Sequence, residues 1–376
     1  MRIGISCYPT IGGSGAVATE LGKALARRGH QVHFIVTDVP FRLGEFHQNI
    51  YIHELDTVSY PVLRTPPYDL SLAAHMADIV KRYDLDILHV HYAFPFAVCA
   101  FLAKAIVKNH SFKVVTTLHG TDVTVLSQDK SLYEVIKLGI EQSDVVTAVS
   151  QSLVTQTQAL FGIERHIHCV YNFVDTDVFH PDPNSELRRC FADRDEKVLL
   201  HISNFRRVKR ISDVIHVFAQ VRQSMPAKLL LVGEGPELNH ARDLVQSLQL
   251  DASVLFLGKQ DQVAPICAAA DLFLLPSEKE SFGLVALEAM ACGVPVVGTT
   301  AGGIPEVVVH GETGFLASVG DVDTMAGYAK TLLTDDALYA RFSDASVQRA
   351  QQVFHIDHRV QEYEDIYKAV LKGSCC

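Results

Sequence analysis

The amino-acid sequence predicts an α/β protein with two doubly wound domains, each built on a parallel β-sheet. Three observations lead to this fold class. Aliphatic runs of four to six residues alternate with longer segments of helical periodicity, and Gly, Ser, Asp, His or Pro closes each run. The runs lack the polar alternation of half-exposed strands, which indicates burial on both faces. Buried strands that alternate with helices form right-handed βαβ units.

The predicted strands form two sets, which indicate two domains. The first set comprises 3–7, 32–36, 87–90, 114–118 and 145–149, and the second comprises 198–202, 229–232, 254–257, 272–275 and 294–297. A polar stretch, 180–184, lies between them. We therefore predict a first domain over 1–175 and a second over 176–355, since 376 residues suit two domains of ordinary size.

Helical periodicity predicts the segments that connect these strands. Helices are expected over 16–28 and 281–292, each followed by a glycine that accepts the left-handed conformation at a helix end. A C-terminal helix, over about 356–376, is predicted to pack back on the first domain. Its apolar stripe consists of Val360, Tyr363, Ile366, Tyr367, Val370 and Leu371.

Composition excludes several classes of protein. With 33 basic and 43 acidic residues the net charge is −10, which argues against nucleic-acid binding. No apolar stretch reaches the roughly 18 residues of a membrane helix, so we expect no membrane partner. Eight cysteines are scattered without a paired framework, and the first apolar run is too short for a signal peptide. These features predict a cytoplasmic protein, and Cys375-Cys376 is interpreted as a frayed terminus rather than a lipid-bearing or metal-binding tail.

A glycine-rich segment, Gly12-Gly13-Ser14-Gly15, is predicted to be a loop between the first strand and the first helix. Such glycines let backbone N–H groups approach an anion. The segment also fits a loose dinucleotide-binding fingerprint with Asp38 downstream, which keeps an NAD-dependent dehydrogenase open as an alternative. However, residues 8–12 separate the strand from the fingerprint. We therefore expect a loop that faces a substrate or a phosphate.

Four cations follow the first strand of the second domain: Arg206, Arg207, Lys209 and Arg210. Arg grips phosphate oxygens with a planar fork and Lys supplies a compact charge. In an acidic protein, this cluster predicts a local anion site. A solvated basic turn is the alternative.

Two carboxylates, Glu280 and Glu288, flank the predicted start of a helix at Gly283. A helix N-terminus holds a diphosphate through its backbone N–H groups, so the carboxylates are expected to meet hydroxyl groups. Eight helical residues span roughly 12 Å. That span suits two sugars of one ligand better than a retaining glycosidase pair, whose carboxyls lie about 5–5.5 Å apart. Two unrelated acids are the alternative.

Histidines mark the strand ends of the first domain. His119 follows a strand and precedes Gly120, where ligand-contacting groups of this architecture lie. His89 and His91 alternate on one strand. Three histidines are enough to bind zinc, but no carboxylate or cysteine has matching spacing. We therefore expect no metal.

Together these residues resemble a retaining glycosyltransferase of the two-Rossmann (GT-B) type, family four. The resemblance covers essentially the whole chain and implies two Rossmann-like domains that face each other across a cleft. Many relatives carry Gly-Arg where this chain has Ser203-Asn204, which implies that Arg206 takes over the phosphate contact. The matching features, in the family's order, are the 12–15 loop, the turn His119-Gly120-Thr121-Asp122, Arg206 with Lys209, and Glu280 with Glu288.

Further segments are similar to the malate-specific branch of that family; they are 7–9, 40–43, 66–70, 91–93, 118–125, 171–173, 203–210 and 277–283. That branch transfers N-acetylglucosamine (GlcNAc) from UDP-GlcNAc to L-malate, which gives GlcNAc-α-malate and UDP in the first step of bacillithiol biosynthesis. The resemblance implies a homodimer that needs no cofactor or metal. The same fold with inositol phosphate or a polysaccharide as acceptor, and a catalytically silent sugar-nucleotide-binding module, are the alternatives.

The resemblance also implies roles for individual residues. Arg206 and Lys209 neutralise the departing diphosphate, Glu280 binds the hexose, and His119 contacts it near its developing positive charge. Glu288 binds the ribose. The remaining candidate donor-binding residues are Gly13, Gly15, Asn204, Gly233, Ser281, Phe282, Gly283 and Leu284.

The acceptor is expected to lie in the first domain. Ser14, Tyr92 and Thr121 are the candidate hydroxyl donors to the two carboxylates of malate, and Arg42 and Lys137 are the candidate counter-charges. The family's same-face attack, in which a donor phosphate oxygen accepts the proton of the acceptor, requires no enzymic nucleophile. Closure of the two domains is expected to exclude water.

Overall fold

The computed structural model describes residues 1–9, 12–56, 67–108 and 110–373. By its internal contacts the chain divides into two units, Met1–Asn172 with Ile356–Cys376, and Phe173–His355. The predicted boundary, after residue 175, lies three residues beyond this division. Cys375 and Cys376 lie outside the described residues, as does Pro66.

Seven parallel strands form one sheet in the described part of the first unit. They are β1 (Arg2–Ser6), β2 (Gln31–Val36), β3 (Ile50–Glu54), β4 (Ile87–His91), β5 (Lys113–Leu118), β6 (Val145–Ala148) and β7 (His168–Cys169). Their spatial order is β3-β2-β1-β4-β5-β6-β7. The connecting helices are α1 (Gly13–Arg27), α2 (Tyr68–Tyr83), α3 (Val98–Ile106), α4 (Thr121–Thr124), α5 (Lys130–Gln142) and α6 (Gln151–Phe161).

The second unit contains a six-stranded parallel sheet in the order β10-β9-β8-β11-β12-β13, as far as its residues are described. The strands are β8 (Lys197–Ile202), β9 (Ala227–Val232), β10 (Val254–Gly258), β11 (Leu272–Leu275), β12 (Val296–Thr299) and β13 (Gly314–Ala317). The helices are α7 (Arg188–Phe191), α8 (Ile211–Arg222), α9 (Leu238–Ser247), α10 (Ala264–Ala268), α11 (Leu284–Ala291), α12 (Ile304–Val307), α13 (Val322–Thr334) and α14 (Asp336–Val353).

The predicted fold class is confirmed, and each predicted strand is present with small shifts at its ends. The strands β3, β7 and β13 were not predicted. All three are edge strands of their sheets. An edge strand does not need the continuous aliphatic run of a strand that is buried on both faces. In β3, for example, Tyr51 and Ile52 are 44% and 40% exposed.

The C-terminal helix, α15 (Ile356–Leu371), belongs to the first unit. Its Tyr363 and Tyr367 are fully buried, whereas Leu371 is 39% exposed, so the predicted apolar stripe ends at Val370. The Glu364 carboxylate lies 2.7 Å from His30 Nε2 and 3.4 Å from Arg28 Nη1. Apolar burial and polar contacts thus both hold the helix against the unit.

The strand order indicates where ligands bind in this architecture. In each sheet the connections change direction beside the first strand, between β1 and β4 and between β8 and β11. Ligands of doubly wound sheets bind outside the carboxyl ends of the strands at such a point. The segments that follow these four strands therefore carry the candidate functional residues.

None of the helices described here combines the length and the apolarity that crossing a bilayer demands.

Gly22, inside α1, is predicted to have no room for the methyl group of an alanine. An added Cβ would lie 2.4 Å from Cζ of Phe34, whose ring is fully buried. We expect Gly22→Ala to destabilise the protein by about 1–3 kcal/mol through overpacking. Chemical denaturation followed by circular dichroism measures this change.

Gly327, inside α13, is the matched control, because no atom of the described residues lies within 4 Å of its added Cβ. Gly327→Ala is expected to stabilise the protein by about 0.4–1 kcal/mol, since alanine restricts the unfolded chain and favours the helix. Equal effects of the two substitutions would contradict the packing argument.

Candidate functional site

In the second unit, the loops that follow β8 and β11 meet through a charged pair. Lys209 Nζ lies 2.5 Å from Glu280 Oε2, and the two side chains are 19% and 14% exposed. The Ser277 hydroxyl lies 3.5 Å from the same carboxylate oxygen. The backbone N–H of Glu278 donates to the Val208 carbonyl at 2.8 Å. The structure thus brings together two candidate residues that lie 71 positions apart in the chain.

Four glycines, in the loops that follow β9 and β12, allow those loops to pack backbone against backbone on the loops that follow β8 and β11. A Cβ at Gly233 would lie 1.9 Å from the Ser203 carbonyl oxygen, and one at Gly235 would lie 2.0 Å from that of Asn204. Gly302 and Gly303 approach Glu280 and Ser281 in the same way, with separations of 1.9 and 2.3 Å. No side chain fits at any of these contacts, so glycine is required beside Ser203 and Asn204 and again beside Glu280 and Ser281.

The helix that was predicted over 281–292 begins later, at Leu284. Gly283 has a φ of 96°, in the left-handed region, and this conformation excludes it and the two preceding residues from the helix. Phe282 is buried with its ring centroid 5.6 Å from that of Phe354, while Ser281 is half-buried. The first-turn N–H groups of α11 therefore start beside Glu280, and Glu288 is buried in the next turn.

The predicted cation cluster divides into different environments. Arg206 and Asn204 are exposed, whereas Arg210 lies 2.6 Å from Asp213 and is neutralised by it. Lys209 is paired with Glu280. Arg206 and Arg207 are both exposed, and Arg206 is the one that the family resemblance assigns to the diphosphate.

In the first unit, His119 follows β5 and contacts His91 at the end of β4. His91 Nδ1 and His119 Nε2 are 2.8 Å apart. Burial lowers the pKa of His119 to about 3 and holds that of His91 well below its usual range. Both imidazoles are therefore neutral near pH 7.

A buried carboxylate, Asp122, fixes the turn that carries His119. It accepts backbone hydrogen bonds from Ala93 at 2.8 Å, from Gly120 at 3.0 Å and from Val123 at 3.2 Å. Burial raises its pKa, and these backbone donors oppose that shift. Asp122 thus ties the end of β4 to the end of β5.

The candidate acceptor residues Ser14 and Tyr92 are in contact, since the Tyr92 hydroxyl donates to Ser14 Oγ at 2.6 Å. The prediction of a loop over 12–15 is wrong for three of its residues. Gly13 and Gly15 lie with Ser14 in the first turn of α1, because the Ala16 N–H donates to the Gly12 carbonyl at 3.0 Å.

The other candidate acceptor residues lie apart from one another in the first unit. Thr121 is exposed as the first residue of α4. Lys137 lies in α5, 3.8 Å from Glu141, and no contact within the described ranges joins it to Ser14 or Tyr92. Arg42, after β2, has its guanidinium carbon 5.5 Å from the centroid of the Phe41 ring.

Sequence reasoning assigned no role to His91 or Asp122. The signals were present: His91 ends a strand beside the change of direction in the sheet, and Asp122 follows Gly120 at the spacing of a side-chain-capped turn. His89 contacts the hydroxyls of Tyr367 and Thr117, and His91 contacts His119. Among the residues that the structure describes, no group of three or more His, Cys, Asp or Glu side chains is arranged to hold a metal ion.

Comparisons with known proteins agree with this architecture. Residues 11–178 match the sequence model "Glycosyltransferase Family 4", and residues 185–349 match "Glycosyl transferases group 1". The chain is 52% identical, over 99% of its length, to an N-acetyl-alpha-D-glucosaminyl L-malate synthase from Bacillus anthracis, of which 98% is covered.

Two solved structures resemble the fold. Sucrose-phosphate synthase from Thermosynechococcus elongatus has a TM-score of 0.82 at 23% identity, with 100% of both chains covered. HepE from Anabaena, determined with UDP and glucose, has a TM-score of 0.83 at 24% identity and covers 98% of this chain and 100% of its own. These likenesses concern the fold. The family matches and the 52% identity show that the chain belongs to glycosyltransferase family 4, and it is an enzyme of that family with the GT-B fold.

Proposed function

We propose that this enzyme transfers GlcNAc from UDP-GlcNAc to the hydroxyl of L-malate, with retention of configuration, and so forms GlcNAc-α-malate and UDP. The observation that carries the proposal is the 52% identity, over almost the whole length of both chains, to an enzyme that is named for this product. Transfer to malate is the first step of bacillithiol biosynthesis, as the sequence resemblance implies. The cytoplasmic location and the homodimer stay predictions.

The second unit is proposed to bind the sugar nucleotide. Lys209 has three N–H donors, and its contact with Glu280 leaves others for a phosphate oxygen. The pair itself carries no net charge, so the exposed Arg206 and the N–H groups at the start of α11 supply the positive potential that a diphosphate needs. Glu280 and Glu288 are proposed to accept hydrogen bonds from sugar hydroxyls.

The first unit is proposed to bind malate. The contacting hydroxyls of Ser14 and Tyr92, together with that of Thr121, are the candidate donors to its carboxylates, and Arg42 and Lys137 remain the candidate counter-charges. The proposed attack uses a phosphate oxygen of the donor to accept the malate proton. The enzyme then only positions both substrates and stabilises the departing diphosphate. None of its side chains acts as a nucleophile.

The acceptor is tested by UDP release. Purified enzyme with UDP-GlcNAc is expected to release UDP in the presence of L-malate and to produce a compound with the mass of GlcNAc-malate. D-malate and succinate are the controls, because succinate has both carboxylates but no hydroxyl to attack. Release that depends instead on inositol phosphate or an oligosaccharide would contradict the proposal.

Lys209→Ala is expected to lower kcat by about tenfold or more, because a positioned donor to the departing charge is lost. Steady-state kinetics measure the change, and circular dichroism checks the fold. The matched control is Lys228→Ala: Lys228 and Glu196 form a pair of similar exposure, 3.7 Å apart, at the amino end of β9. If both variants keep the wild-type kcat, Lys209 has no part in the reaction.

Chelation tests the proposal that protein groups alone neutralise the diphosphate. EDTA is expected to leave the initial rate of UDP release unchanged. A loss of activity that Mg²⁺ or Mn²⁺ restores would assign that role to a metal ion. Enzyme dialysed against EDTA and then assayed without it controls for an effect of the chelator on the assay.

A further inference from the structure

A column of three histidine rings runs along β4 and β5 to the candidate site. The ring centroids of His89 and His91 are 4.6 Å apart, and those of His91 and His119 are 5.1 Å apart. His89 contacts Tyr367 of α15 through Nδ1 and Thr117 through Nε2, both at 2.7 Å. Each of its nitrogens therefore has a partner.

His91 differs from His89 in this respect. Its Nδ1 contacts His119 Nε2 at 2.8 Å, but its Nε2 is buried with no hydrogen-bond partner in the described part of the chain. Burial, with the neighbouring histidines, lowers the pKa of His91 far below its usual range. His91 is therefore a neutral imidazole with one proton, on either Nδ1 or Nε2.

The position of that proton decides the chemistry of His119. If His91 carries it on Nε2, a buried N–H group has no acceptor, and His119 must donate from its own Nε2. If His91 carries it on Nδ1, it donates to His119, and only a lone pair is left unpaired. Orphaned buried N–H groups are rarer than under-satisfied acceptors. The second arrangement is therefore favoured.

We propose that His91 is a positioning residue that fixes His119 as the Nδ1–H tautomer, so that His119 presents a neutral N–H donor to the transferred sugar. The inference rests on the proposed function for the identity of that sugar. It does not rest on it for the tautomer, which is a property of the free protein.

A neutral donor suits the proposed reaction. The transferred sugar develops positive charge as its bond to the diphosphate breaks, and an imidazolium beside it would oppose that charge. A neutral N–H donates to a sugar oxygen without this repulsion. The same geometry orients the ring, because His119 contacts His91 and also packs against the tilted ring of Tyr92, at a centroid distance of 5.2 Å.

The tautomer is measured directly in the free protein. Two-dimensional ¹H–¹⁵N spectra of histidine-labelled enzyme distinguish protonated from bare ring nitrogens, and His119→Gln identifies the signals of His119 by their loss. The proposal expects the proton on Nδ1 across the neutral pH range. A proton on Nε2 of His119 in the wild-type protein overturns it.

Two substitutions test the role of His91. His91→Asn places an amide where Nδ1 was and keeps a donor, so the tautomer is expected to persist with kcat within about threefold of wild type. His91→Phe keeps a ring but removes the donor, and kcat is expected to fall by about tenfold with little change in the KM for malate. If Phe leaves both the His119 spectrum and kcat unchanged, the proposal is wrong. If His91→Phe does not fold, the proposal is tested by the proton position in the wild-type spectrum and by the spectrum and kcat of His91→Asn.

His33→Phe is the matched control. His33 Nδ1 lies 2.9 Å from His53 Nε2 in a similar buried pair on β2 and β3. This variant is expected to keep the His119 spectrum and kcat, even where its thermal stability falls. An enzyme that shows the expected tautomer but makes no GlcNAc-malate refutes the proposed function alone. A normal product with the opposite tautomer refutes this inference alone.

Discussion

The candidate residues of the second unit depend on a steric constraint, the close approach of backbone segments at the carboxyl ends of β8, β9, β11 and β12. Gly233 and Gly302 occupy places where a single added carbon would come within 1.9 Å of a carbonyl oxygen. These contacts fix the backbone at Ser203 and at Glu280, in the two loops that carry the Lys209–Glu280 pair. Protein interiors are packed too closely to absorb such a change.

Burial controls charge differently in the two units. In the second unit, the side chains of Lys209 and Glu280 stay partly exposed, at 19% and 14%, while they contact each other. In the first unit, burial of His89 and His119 disfavours their charged forms, so both imidazoles are neutral. The loops of the second unit thus bring opposite charges into contact, whereas His89 and His119 of the first unit are neutral.

The polar core of the first unit has a structural function as well. Thr117 contacts His89 and Thr147 at 2.7 Å, and Tyr363 of α15 at 3.3 Å. Buried polar groups stabilise a fold only when nearly all have partners. This network therefore ties the C-terminal helix, though distant in sequence, to the strands that end at the candidate site. His91 Nε2, which has no hydrogen-bond partner among the described residues, is an exception to this pattern.

The sequence by itself determined the fold class, the position of most strands and the position along the chain of the loops that carry Glu280, Lys209 and His119. Aliphatic periodicity and glycine placement are local properties, so they can be recognised in the sequence without a structure. Tertiary structure alone decided the edge strand β3, whose exposed residues lack an aliphatic run, and the helical state of Gly13 and Gly15, which single-residue preferences oppose. It also decided which side chains meet, such as Lys209 with Glu280 and His91 with His119. Those contacts join residues far apart in the chain, and their distances follow from strand order and register rather than from any local pattern.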